Sequence, residues 1–227
     1  MEYRIAQNVA EIDVKVIFAT INGVDNTGRS SKWNVERTAR LANLCKHYKN
    51  LDVHEDSILE GYNILHDKAG VKRRKNVPSS ENLIKMLLKH QNIPFINQVV
   101  DIYNVISMES RLCVAAHNLD KVEGNLTVRF SDGTETYLPL GAEQPVPMKA
   151  HEYCYCDDSN EVLCRLEIRQ VEKTKVDERV RNILYIIEGN EATDDKLLFE
   201  VMQEIVDTTM KYCGGVGEIF GGTVYER

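Results

Sequence analysis

The chain has 227 residues, with 28 Lys or Arg against 35 Asp or Glu for a formal net charge of −7, a hydrophobic share of 43% and a charged share of 28%. These proportions exclude a disordered chain, a collagen-like chain and a small disulfide-stapled scaffold. The acidic balance also argues against a protein that coats nucleic acid through bulk positive charge, and the length fits one large domain or one domain with an appendage.

No basic run followed by a long apolar stretch opens the chain, and no apolar run approaches the roughly 18 residues of a membrane span. A cytoplasmic protein without a membrane partner is expected. Asp13 to Ile21 (D-V-K-V-I-F-A-T-I) reads as a strand. Ser30 and Ser31 are placed to cap a helix over about 32–48. A second helix is predicted over 55–66, where Ile58, Leu59, Tyr62 and Leu65 share one face. Lys68 to Lys75 is the one strongly basic run. Pro78 with Ser79 or Ser80 opens a third helix, and Asn92-Ile93-Pro94 ends it. A fourth helix is predicted over 96–108.

The period then changes. Leu126, Val128 and Phe130 alternate with polar residues, and Asp132-Gly133 reads as a hairpin turn into a partner strand over 135–140. A second hairpin is predicted from 152–156 and 162–169. Six cysteines without a signal peptide are read as free thiols. His151, Cys154, Cys156 and Cys164 invite comparison with a zinc site. The alternating Y-C-Y-C pattern favours buried strand thiols instead, and neither a metal nor a cofactor is expected. Ile183 to Ile187 is a continuous apolar run suited to a central strand. Thr193 is placed to cap a last helix over 194–213, and the glycine-rich residues 214–227 read as a tail. Strand, helices, antiparallel region and helix together make an α+β plan in one domain, 1–227.

No nucleophile elbow, Walker loop or His-Glu-x-x-His motif occurs. Asn97, Asp101 and Asn104 recur at helical spacing within an apolar segment, so they line a pocket together or form a solvent face. Glu188 follows the apolar run, where it is placed to meet a ligand hydroxyl or to cap a strand end.

Two segments then suggest a family: N-I-P-F-I-N-Q-V-V-D-I-Y-N-V-I-S (92–107) and N-L-D-K-V-E-G-N-L-T-V-R-F (118–130). With Y-C-D-D-S-N-E-V-L-C-R, R-Q-V-E-K-T-K-V and N-I-L-Y-I-I-E-G further on, they resemble the editing domain of the phenylalanyl-tRNA synthetase beta subunit, over roughly 70–213. The resemblance implies a fold of β/β/α layers and a stand-alone domain that binds aminoacylated tRNA and hydrolyses a mischarged ester. The alternative is a tRNA- or amino-acid-binding module without catalysis. It further implies catalytic roles for Asn104 and Glu188, and substrate contacts from Asn97, Asp101, Arg129 and Thr174. Lys72, Arg73, Arg74 and Lys75 are the expected tRNA contacts, and no DNA partner is expected. The family's editing histidine falls near Ala115 here, with His117 about two positions away.

Overall fold

The computed structural model describes residues 1–50 and 52–225. One α+β domain is built from two sheets and six helices. The smaller sheet has the order β3-β8-β2-β9: Cys113–Asn118, Asn182–Gly189, Lys15–Asn22 and Val216–Gly221. The larger has the order β10-β1-β4-β5-β6-β7: Thr223–Tyr225, Tyr3–Ala6, Leu126–Phe130, Tyr153–Asp157, Val162–Arg165 and Arg169–Gln170.

β8 explains the arrangement. It is flanked on both sides, antiparallel to β2 (Ile17↔Ile187) and to β3 (Ala115↔Ile186). Successive side chains of a strand point to opposite faces. Tyr185 meets the helical side, where its hydroxyl lies 2.9 Å from Thr209 Oγ1 and its ring lies edge-on to Tyr103. Glu188 points the other way, to Tyr153 and Tyr155 of the larger sheet. A strand covered on both faces needs apolar residues in both registers, and this accounts for the unbroken I-L-Y-I-I run.

The long helices are α2 (Ser31–Tyr48), α3 (Ser57–Lys68), α4 (Ser79–His90), α5 (Gln98–Ser110) and α6 (Asp195–Cys213), after a single-turn α1 (Gln7–Ala10). Side-chain caps start four of them: Ser30 accepts from the Trp33 amide, Asp56 from Ile58 and Leu59, Asn97 from Val100, and Asp194 from Leu197. Among the described residues no helix is long and apolar enough to cross a membrane.

The structure departs from the sequence reading at several places. The sequence reading does not foresee β1, α1 or β3. β4 does not pair with 135–140; its partner is β5, with Leu126 opposite Asp157 and Phe130 opposite Tyr153. Glu135 decides this. Its carboxylate accepts from the Asp132 and Gly133 amides at 3.0 and 2.9 Å and pairs with Arg129, which turns the chain out of the sheet. Beyond it, 136 and 139 make only isolated bridges. The segment read as a tail is also paired. β9 lies antiparallel to β2, and β10 lies parallel to β1, with Arg4 opposite Thr223. Gly215, at φ +93°, sits where a Cβ would come within 2.8 Å of the Asn22 carbonyl oxygen. There glycine serves a close approach, not looseness. Residues 226 and 227 of the same segment lie outside the described residues.

Candidate functional site

A cleft of about 540 Å³ opens beside the small sheet. Ser79, Asn82 and Met86 from the start of α4 form one side, Tyr103 and Asn104 from α5 another, and β3 with the 164–170 segment the wall. Asn104 is half-buried, and its amide forms no hydrogen bond among the described residues. A polar group with unspent donors and acceptors at a cleft wall is available to a ligand.

Behind the wall lies a cavity of about 10 Å³ shared between the two sheets, at the threshold for one water. Val114, Ala115, Cys164 and Glu167 border both spaces, while Tyr155 and Glu188 border only the inner one. Here five side chains form one hydrogen-bonded chain. Tyr155 donates to Glu188 Oε2. The Tyr153 hydroxyl lies 2.8 Å from Glu188 Oε1 and 2.5 Å from Glu167 Oε2. Glu167 Oε1 lies 2.6 Å from His66 Nε2.

The Tyr153 hydroxyl has a single proton, so it cannot donate to both carboxylates. One carboxyl must supply the other proton. Burial, and then the neighbouring Glu167, push the Glu188 carboxyl well above the usual carboxylate range. A raised carboxyl keeps its proton to higher pH, so Glu188 is suited to supply it. The Tyr62 hydroxyl ties the back of the network, donating to the Glu188 carbonyl and accepting from the Cys113 amide at 2.9 Å. Nearby thiols are unreactive: burial raises Cys113 to about 12 and Cys164 also upward, so neither is a thiolate at neutral pH.

The other candidate residues are dispersed. Asn97, Asp101 and Asn104 do not line one pocket. Asn97 caps α5 and donates to the Val176 carbonyl at 2.8 Å. Asp101 is fully buried, accepting from Trp33 Nε1 at 2.7 Å and from Arg37 Nε at 2.8 Å. Spacing put the three on one helix; it is Arg37, from a distant helix, that takes Asp101 away from the cleft. Arg129 is held by Glu135 at 2.5 Å and by Asn160 Oδ1 at 2.6 Å. Thr174 Oγ1 lies 2.8 Å from His117 Nδ1, and both residues are buried. Burial holds His117 neutral, lowering it to about 3.

In the basic run, Lys72, Arg74 and Lys75 are exposed, while Arg73 is bound by Glu60 and Asp67 at 2.7 and 2.5 Å. Lys75 borders a depression of about 520 Å³ with Lys149, Arg165 and Arg169. Glu152 also borders this depression and pairs with Arg165. The depression adjoins the cleft through Leu140, Ile168 and Arg169, and Arg169 is the one basic side chain of the four that borders both. The grouped thiols do not converge: Cys154 and Cys156 lie 3.4 Å apart on one face of β5, while Cys164 bonds the Leu166 carbonyl. Among the described residues no three His, Cys, Asp or Glu side chains are placed to hold a metal ion.

Sequence reasoning missed His66, Tyr153, Tyr155 and Glu167. The Y-x-Y alternation of β5 was the one available sign, since it puts both tyrosines on faces of a buried strand. Nothing local marks His66 or Glu167, which meet across 101 positions.

The B3/4 domain family model matches residues 68–210. No curated protein matches the chain. Among solved structures, an N-terminal fragment of the phenylalanyl-tRNA synthetase beta subunit from Pyrococcus horikoshii is similar at a TM-score of 0.53 and 11% identity, over 100% of this chain and 52% of that one. The chain thus spans about half the length of that fragment, and the likeness is one of fold. The chain belongs to the B3/4 domain family, as a phenylalanyl-tRNA synthetase beta-subunit-like domain.

Proposed function

We propose that the protein binds the aminoacylated end of tRNA and hydrolyses the ester of a mischarged amino acid. The observation that carries this reading is the unbonded Asn104 amide on the wall of a cleft that Arg169 joins to a depression bordered by Lys75 and Lys149. An aminoacyl ester is already activated, so a positioned water and a hydrogen bond to the developing oxyanion are enough to speed its loss. Asn104 supplies that hydrogen bond. Lys75, Lys149 and Arg169 meet the terminal phosphates, where local rather than net charge matters. Glu188 acts through the network: bonded to Tyr153 and Tyr155, it fixes both side chains, and so the shape of the inner wall.

A second reading, binding without hydrolysis, is favoured by one feature. Both Glu188 oxygens are bonded to the protein's own tyrosines, and Glu188 borders the inner cavity but not the cleft. A deacylation panel across aminoacyl-tRNAs separates the two. The expected outcome is release of at least one amino acid above a buffer control, with Asn104→Ala slower by about 10²-fold. A flat panel with intact tRNA binding would establish the binding module instead.

A further inference from the structure

A trough of about 900 Å³ runs between α2 and the end of α4, away from the cleft, and it takes up no part of the site above. Its charged lining is Arg29, Arg37, Lys46 and Lys49, with no carboxylate. Arg37 is neutralised by Asp101 beneath it. Arg29, Lys46 and Lys49 are exposed and form no ion pair among the described residues. Arg29 is held in place over the Phe95 ring, 4.5 Å from its centroid. In a chain with an excess of acids, an acid-free cationic trough is a local departure from the rest of the surface.

We infer that this trough binds the sugar-phosphate backbone of RNA. The inference rests on the tRNA reading above and adds a second contact surface to it. Arg29 precedes α2, and Lys46 and Lys49 stand at its far end; a helix of 18 residues spans about 27 Å, so the charges are spread along a track. That layout follows a backbone rather than a single phosphate. An acidic protein segment fits less well. A stable protein interface is anchored by apolar or aromatic side chains, and none of the exposed large apolar residues lines the trough.

The test is tRNA binding by the intact protein across a salt series, with Lys46→Gln/Lys49→Gln against wild type. A control pair, Lys121→Gln/Lys196→Gln, carries the same net-charge change outside the trough. Removing two phosphate contacts should flatten the log–log salt slope by about 1.4–1.8 in the trough variant alone. Equal slopes in wild type and variant, or equal flattening in both variants, would overturn the trough. So would tighter binding of poly-glutamate than of tRNA. If wild type binds no tRNA even at low salt, the proposed function falls with it. If wild type binds and deacylates while the slopes agree, only the trough falls.

Discussion

Asp101 shows how far a residue's meaning depends on what lies above it. Helical spacing relates it to Asn97 and Asn104, but Arg37 and Trp33 claim both of its oxygens. Arg37 also donates to Asn92 Oδ1 and the Ile93 carbonyl, so this ion pair ties α2 to the break before α5. Asp101→Ala would leave a guanidinium and an indole N–H buried without their acceptor. The expected cost is about 3–5 kcal/mol, seen as a lower urea midpoint at unchanged m; a loss below about 1 kcal/mol would show that water reaches the site. His117 provides a pH test. Its folded value of about 3 lies below the ordinary 6.5, so below pH 6.5 the unfolded chain binds the extra proton. Stability from this group is present above pH 6.5 and is lost as pH falls toward 3, at up to about 1.4 kcal/mol per unit. In matched titrations His117→Leu should be less steep than wild type across that window. Parallel curves would mean His117 is protonated in the fold.

At the scale of elements, the long helices were legible because each carries local signals: an apolar stripe, a stop and, in four of them, a side-chain cap. Strand partners carry no such local mark. The Asp132-Gly133 dipeptide has hairpin chemistry, yet Glu135 uses the amides of that turn and sends the chain away before a ladder can form. The C-terminal strands make the same point. β9 completes one edge of the small sheet, and β10 completes one edge of the larger, so a segment of ten residues borders both. Removing residues 216–225 would expose the backbone edges of β2 and β1 together, with Ile17, Phe18 and Ile5 beneath them. We expect the shortened chain to lose several degrees or more of Tm and to self-associate through the opened edges, measured by thermal unfolding and light scattering. An unchanged Tm in a monomeric product would show the strands to be accessory.

Over the whole molecule, the net charge of −7 conceals a division that only three dimensions resolve. The basic run at 68–75 is partly spent on Glu60, Asp67, Asp13 and Glu191, whereas Arg29, Lys46 and Lys49, scattered along the chain, gather free of acids in one trough. The candidate cleft divides in the same way. Asn104 and Glu188 were visible from the sequence, the one as a polar residue inside an apolar segment and the other at the end of an apolar run. The chain Tyr155–Glu188–Tyr153–Glu167–His66 was not, because its members come from α3, β5, β8 and the 166–168 turn and meet only when the sheets stack. By itself the sequence determined the five long helices, the central apolar strand, the α+β class and the family, all of which rest on periodicity, caps and ordered motifs close along the chain. The tertiary structure alone decided strand pairing, the burial that raises the Glu188 carboxyl and which charges remain free. Those depend on burial and on partners distant in sequence, and neither is encoded at a single position.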